Sequence, residues 1–567
     1  MNILFIKMFK KVALFFTNNT IEMKIVIIGG VAGGAATAAR LRRLDEQAEI
    51  IMLDKGAYIS YSNCGLPYYI GDVVENREQL FVETPQSFRR RLNIDVRVNQ
   101  EVVHIDIDKK EILIRNHATQ EEYKESFDKL VLSPGAKAFI PDVEGISNKR
   151  VFTLRNVPNT DAIKEFIDNN DIKNAVVAGG GFIGLEMVEN LREIGIDISL
   201  VEAGNQVMPT LDKTMATFIH QELEKHNVQL FLENHITKIQ ENTNGLTLFL
   251  QDGKTIDTNM LILSIGVRPD VEMAKNSGIV LGDLGGIKVN EYLQTSHSDI
   301  YAVGDAIEVC NLITNMPMIL PLAGPASKQG RIAANNIILG NHQKFSGVIG
   351  SSIAKIFNLT AASAGVNEKT LQKLNIPHIS SYTQSLSHAG IYPGARFLYI
   401  KVLFAPDTGQ LYGAQVTGYD GADKRIEMMA QVIQRKGSVV ELAELEQAYA
   451  PPYSSAKDPV NTAGFVAENI LLGKMEIVHV QDIQKHDYLL DVRTEKEYQS
   501  GHIENAVNIP LDDLRSRVED LDKNRRIIIY CAGGMRAYFA YRILAQLGFE
   551  QIYNLSGGFK IYQLEVV

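Results

Sequence analysis

The sequence predicts an α/β chain of several domains built around two nucleotide-binding units, and three observations predict it. A strand, a glycine cluster and an Ala-rich helix follow one another in "MKIVIIGGVAGGAATAARLRRLDEQAEIIMLDK", from Met23. The same order recurs in "NAVVAGGGFIGLEMVENLREIGIDISLVEAG", and strands alternate with helices again near the C-terminus, around "RIIIYCAGGMRAYFAYRILAQLGF". At 567 residues the chain has room for three or four separate cores.

In the first unit the apolar run Lys24 to Ile28 enters a tight turn at Gly29. There a phosphate can approach bare backbone, and the helix that follows offers N–H groups and the positive end of its dipole. Gly29 and Gly34 hold the outer places of the glycine frame, with Val31 in the middle one, and Asp54 ends the next strand, where a carboxylate would accept from ribose hydroxyls. In the second unit Gly179, Gly181 and Gly184 complete the frame after the strand Ala175 to Ala178, and Glu202 ends the following strand. A glutamate there favours a free 2'-hydroxyl, hence NADH, with NADPH still tolerated beside a nearby base. Both units are therefore Rossmann-like.

A net charge of -10 excludes a broad nucleic-acid surface, which needs a basic face. The three cysteines, Cys64, Cys310 and Cys531, are too far apart for a disulfide framework or a CxxC metal site, so no metal is expected and a reducing, cytoplasmic setting is. Cys310 is expected to be packed inside. The opening "MNILFIKMFKKVALFFTNNTIE" has too short an uncharged run for a membrane span; residues 1–22 are expected to be a disordered, dispensable extension, with a membrane-surface anchor as the alternative.

"TSHSDIYAVGDA", Thr295 to Ala306, and "LVLSPGA" at 130–136 resemble the FAD-side motifs of flavoprotein reductases with two dinucleotide domains. That resemblance implies FAD in the first unit, with Gly135 and Asp305 in its site, and NAD(P)H in the second. Together with "YSNCGLPYY", "LPLAGPASKQGRIAANNI", "HAGIYPGA" and "AYAPPYSSAKDPVN", the chain from Met23 onward closely resembles coenzyme A-disulfide reductases, specifically the branch with a fused rhodanese domain that includes NADH-dependent persulfide reductases. The resemblance implies an FAD-binding domain at 23–140 and 261–340, an NAD(P)H-binding domain at 141–260, an α+β dimerisation domain at 341–466 and an α/β rhodanese domain at 474–567.

It also implies a homodimer with shared active sites and a single redox thiol. Cys64 would form a mixed disulfide with coenzyme A, the second sulfur being brought by the substrate, and it would need a lowered pKa to work as a thiolate. Tyr392 and Tyr449, from the other subunit, would protonate or position the departing sulfur; relatives often carry a tyrosine where Ile391 stands. Arg40 and Arg43, three apart on one helix face, would reach the phosphates of coenzyme A, with Ser60 and Asn63 lining the pocket and Lys457 arriving from the other subunit.

The C-terminal segments Asp491-Val492-Arg493, Glu497, Gly501-His502-Ile503 and the loop Cys531 to Arg536, "CAGGMR", resemble a rhodanese domain. Backbone N–H groups around Cys531 would hold a persulfide, Arg536 would close the loop and add positive charge, and Asp491 would anchor it. The substrates so implied are coenzyme A disulfide, coenzyme A persulfide or polysulfide, and the fused sulfur loop favours the last two. Two alternatives stay open: an NADH oxidase or peroxidase cycling Cys64 through sulfenic acid, and a sulfurtransferase centred on Cys531.

Overall fold

A computed structural model describes residues 23–566; the 1–22 extension lies outside the described residues. Strands Lys24–Ile28 and Glu49–Leu53 read KIVII and EIIML because they lie inside a parallel sheet covered on both faces. Its order is Ile300–Ala302, Lys129–Leu132, Lys24–Ile28, Glu49–Leu53, Asp95–Arg97, every pairing parallel. The edge strand from residue 300 closes this domain only after the second has been built. Helix Ala32–Leu44 crosses helix Ala323–Leu339 at Gly330, where an added Cβ would lie 2.8 Å from Thr37 Oγ1, so the close crossing depends on a missing side chain.

The second parallel sheet runs Gln229–Phe231, Asp197–Val201, Asn174–Ala178, Met260–Leu263, Val151–Thr153. The return to the first domain, expected at Leu261, comes later than that. Met260–Leu263 is MLIL with all four residues buried, which suits only the interior of the second sheet, and the chain crosses over with Val267–Pro269, paired to Ala136–Ala138.

A five-stranded antiparallel sheet follows, in the order Ser352–Ile356, Leu359–Gly365, Leu411–Gly418, Phe397–Phe404, Ile379–Leu386. Helices Ala422–Gln434, Val439–Glu444 and Pro459–Leu471 cover one face of it. The boundary expected at 466 falls inside the last helix, whose apolar face continues unbroken until Gly473 turns the chain at φ +64°. The C-terminal unit is a parallel sheet ordered Ile477–Val478, Ile552–Leu555, Ile527–Tyr530, Tyr488–Asp491, Val507–Asn508. Buried Lys401 bonds Glu368 at 2.6 Å and, in the second domain, Asp212 at 2.9 Å, pinning that domain to the antiparallel sheet. Among the described residues no helix is long and apolar enough to cross a membrane, and no cluster of potential ligands could hold a metal ion.

Candidate active site

The two nucleotide cradles are built alike. Gly29 and Gly179 turn at φ +95° and +103°, each backed by a carbonyl, of Ser133 and Ser264, that a Cβ would strike. A Cβ at Gly34 would overlap the Gly29 carbonyl, and one at Gly184 the Gly179 carbonyl. Helices Ala32–Leu44 and Phe182–Glu193 start without a side-chain cap, at Val31 and Gly181, leaving their first-turn N–H groups for an anion. Asp54 accepts from the N–H groups of Gly30 and Gly56, both at 2.8 Å; Glu202 does the same with Gly180 at 2.6 Å and Gly204 at 2.7 Å. Each carboxylate thus closes its own loop and keeps lone pairs for ribose hydroxyls. Bare glycine backbone, uncapped N–H groups and a strand-end carboxylate fit a dinucleotide at both places.

Asp305, on the turn Gly304–Ala306, pairs with Arg155 at 2.7 Å, and Arg155 also donates to the carbonyl of Ala136 at 2.9 Å. Gly135 lies beside the same guanidinium, a Cβ there falling 3.5 Å from Arg155 Nη2. Arg155 belongs to no motif and was not singled out from the sequence; only its place just after strand Val151–Thr153 could have flagged it.

Cys64 stands exposed in the turn Asn63–Gly65, ahead of the short helix Leu66–Ile70. Ser60, held in the left-handed region at φ +45°, ties this segment to the first glycine cluster by donating its N–H to the Gly30 carbonyl at 2.8 Å. Asn63 donates to the carbonyl of Arg155 at 3.4 Å, and its own buried Oδ1 has no partner among the described residues. The lowered thiol pKa expected from the sequence is not supplied by the side chains. Although the residue is exposed overall, the burial felt by its sulfur, then the carboxylates of Glu186 and Asp305, push the thiol up; only Arg155 pulls it down. Glu186, two residues beyond Gly184, was also passed over. Burial and the neighbouring Glu189 push its carboxyl up to about 7.

The run "ARLRRL" splits in two. Arg42 turns inward and donates to the carbonyls of Leu92, Asp45, Glu46, Ala48 and Asn93. Arg40 bonds Asn335 at 2.8 Å, while Arg43 is exposed. Burial, and then the charges of Arg331 and Arg43, hold the Arg40 guanidinium below its ordinary value. Arg331, absent from the sequence reading, comes from helix Ala323–Leu339 and completes a cationic trio that an anion would relieve.

Tyr392, Tyr449 and Lys457 are exposed on the antiparallel domain. Tyr449 lines a cleft with Tyr453, Asp420 and Lys424, and Tyr392 meets His388 edge-on at 5.8 Å. What holds both segments is a buried pair that sequence reasoning missed, Arg425 with Asp458 at 2.8 Å. Arg425 also donates to the Ser387 carbonyl at 2.7 Å, and Ser454 supplies its carbonyl to the Ala389 N–H at 3.0 Å. The Asp-Pro at the start of helix Pro459–Leu471, a capping signature, was the available signal.

Cys531 is buried, and its Sγ accepts from the N–H of Gly534 at 3.1 Å, just where helix Met535–Gln546 begins without a side-chain cap. Arg536 makes a two-pronged pair with Glu497, both contacts at 2.7 Å, so the positive charge expected from it is partly offset; the pairing with Arg536 holds the Glu497 carboxyl down at about 2. Asp491 does not anchor the loop directly. It binds Arg493, whose guanidinium lies 4.2 Å over Phe559, and the Phe559 N–H donates to the Cys531 carbonyl at 2.8 Å. Cys310, expected inside, is exposed at the end of strand Ile307–Cys310, because the strand ends at the surface there.

Comparison with known proteins follows this division of the chain. Residues 23–330 match the pyridine nucleotide-disulphide oxidoreductase model, 351–459 the dimerisation domain of the same family, and 477–565 a rhodanese-like domain. The coenzyme A disulfide reductase of Staphylococcus epidermidis is 35% identical over 445 residues, covering 78% of this chain and all of the relative. The reduced Bacillus anthracis CoADR-RHD is 48% identical with a TM-score of 0.94, covering 96% of this chain and 99% of that one. A NAD-dependent persulfide reductase from A. fulgidus is 34% identical with a TM-score of 0.90, covering 95% and 100%.

Proposed function

Because the chain belongs to the pyridine nucleotide-disulphide oxidoreductase family, we propose that it uses NAD(P)H to reduce coenzyme A disulfide and coenzyme A persulfide or polysulfide at Cys64, as a homodimer. The observation that carries this reading is that Cys64 is alone: all three cysteines are unpaired, and the other two lie elsewhere in the fold. The second sulfur must then arrive with the substrate. FAD, bound in the first cradle, supplies the two-electron relay between nicotinamide and sulfur.

The chain's own groups do the rest. The Cys64 thiolate attacks the substrate's S–S bond; one sulfur leaves as coenzyme A thiolate from the disulfide, or as hydrosulfide from the persulfide, and a mixed disulfide with coenzyme A remains. Two electrons then break that mixed disulfide and return Cys64 and its coenzyme A to thiolates. Arg40, Arg43 and Arg331 form the cationic ground for the phosphates of coenzyme A, with Ser60 and Asn63 nearer the thiol. Burial, then Glu186 and Asp305, raise the Cys64 thiol, so groups bound beside it that favour the thiolate would aid this step.

Ile391 is 90% exposed and Tyr453 73%, an apolar surface that a second copy would cover. On that arrangement Tyr392, Tyr449 and Lys457 would serve the other subunit's Cys64. Cys531 would carry or accept the sulfane sulfur, supported by the N–H it already holds. Three free thiols support a reducing, cytoplasmic setting for the reaction.

Mass spectrometry of protein purified without reductant tests the reading. An adduct of coenzyme A mass on Cys64 is expected; a single added oxygen there overturns it in favour of a sulfenic-acid oxidase.

A further inference from the structure

Strand Ile379–Leu386 is an edge strand of the antiparallel sheet, and its alternate residues Ser380, Tyr382 and Gln384 face one way. All three meet the rhodanese-like domain. Ser380 Oγ lies 3.2 Å from His479 Nε2, and the Tyr382 N–H donates to Ser556 Oγ at 3.0 Å. Tyr382 Cβ also sits where a Cβ of Gly557 would fall, and farther along the same interface Thr214 donates to Glu565 at 2.6 Å. The third contact reaches the sulfur loop itself. Gly533, in the middle of Cys531 to Arg536, has no side chain, and the place its Cβ would occupy is taken by Gln384, whose amide Oε1 comes nearest and whose Cβ and Cδ are 3.0 and 3.2 Å away. The Gln384 amide is half-buried and makes no hydrogen bond to any other described residue.

We propose that Gln384 is a positioning residue of the Cys531 site, a side chain lent by the dimerisation domain to a loop that lacks one at position 533. The inference rests on the reading that Cys531 carries sulfane sulfur. A primary amide offers both a carbonyl and an NH2, exchanged by a half-turn, so it can donate to an anionic sulfur where a loop glycine can offer only backbone. Gly534 already supplies one N–H to Sγ. The loop is pinned from behind by Phe559 and Lys560, whose N–H groups bond the carbonyls of Cys531 and Ala532 at 2.8 and 3.1 Å. Gln384 bears on the loop from the dimerisation domain, so its donor array is set by two domains together. Sulfur carriage at Cys531 therefore depends on how the rhodanese-like domain is seated.

The test uses the full-length holoenzyme with thiosulfate as sulfur donor and cyanide as acceptor. The Cys531 thiolate takes the outer sulfur of thiosulfate as sulfite leaves; cyanide then removes that sulfur as thiocyanate, and the electron pair of the S–S bond stays on Cys531. Gln384→Ala and the similarly sized apolar Gln384→Met should each lower kcat for thiocyanate formation about ten- to a hundredfold, the loss of one hydrogen bond to a charged group. Gln384→Glu should lower it further, through repulsion of the anionic sulfur. Reduction of coenzyme A disulfide at Cys64 should be unchanged in all three, and so should the melting temperature of Gln384→Met. Wild-type turnover in Gln384→Met would overturn the proposal by reducing Gln384 to packing. If wild-type protein takes up no sulfur on Cys531 by mass spectrometry, the sulfur-carrier reading fails instead, and the two failures are distinct.

Discussion

Cys64 and Cys531 are the two sulfurs proposed to react in this chain, and their surroundings are opposite. Cys64 is exposed on a short turn, no hydrogen bond to its sulfur exists among the described residues, and burial of the sulfur, then two carboxylates, push its thiol up. Cys531 is buried, receives an N–H from Gly534 and sits at an uncapped helix start. The difference teaches how each is switched on. A thiol without donors of its own gains most from groups that cofactor and substrate bring beside it. A thiol at a loop of backbone N–H groups has donors of its own for an anionic persulfide before any cofactor binds.

The comparison breaks first at the thiols themselves. Cys64→Ser should lower NADH-dependent reduction of coenzyme A disulfide by more than about a thousandfold while thiocyanate formation at Cys531 persists; a steady-state assay of both activities decides, and loss of both together would mean the sites are not independent. Next comes the scaffold that carries Tyr392 and Tyr449. Arg425→Ala leaves Asp458 charged and buried, and should cost about 3–5 kcal/mol, read as a lower midpoint in denaturant melts. Disulfide reduction should fall with it if those segments complete a neighbouring subunit's site.

A smaller effect is expected at the sulfur loop. Glu497→Gln loosens the pairing with Arg536 at a half-exposed position, and thiocyanate formation should drop about fivefold, with Cys64 chemistry unaffected. The smallest change sharpens the contrast between the sulfurs. The Glu186 carboxyl titrates near pH about 7 and, once charged, holds the Cys64 thiol up. Glu186→Gln removes that charge, so the pH midpoint for alkylation of Cys64 should move to lower pH, while below pH about 7, where Glu186 is already neutral, the two proteins should converge. An unmoved alkylation profile would show that Glu186 does not act on this thiol.

The parts of the site that were legible are those whose chemistry is local. Gly34 and Gly184 announce themselves because each packs on the carbonyl of the glycine that opens its own turn, Gly29 and Gly179, whereas those two stand against the distant carbonyls of Ser133 and Ser264 and are legible only through the glycine spacing. Asp54 and Glu202 announce themselves by ending the strand beside the glycine turn, and the CAGGMR loop by its place between strand and helix. Arg155, Glu186, Arg331 and Arg425 were silent. Each acts on a group far off in sequence, Arg155 on Asp305, Arg331 on Arg40, Arg425 on Asp458, and no local pattern encodes such a meeting. Arg42 shows the limit from the other side. Its neighbours share its charge, yet burial and five carbonyls make it a structural residue.

By itself, then, the sequence determined the two glycine cradles and the loop that holds Cys531, because glycine turns, helix starts and strand ends are written in consecutive residues, and it singled out Cys64 as the candidate redox thiol through its motif. Only the tertiary structure decided what surrounds each sulfur. It put two carboxylates and one guanidinium around Cys64, sent Arg536 to Glu497 and placed Gln384 against Gly533. Charge and packing act through space, and the residues that set them are brought together only when the domains close on one another.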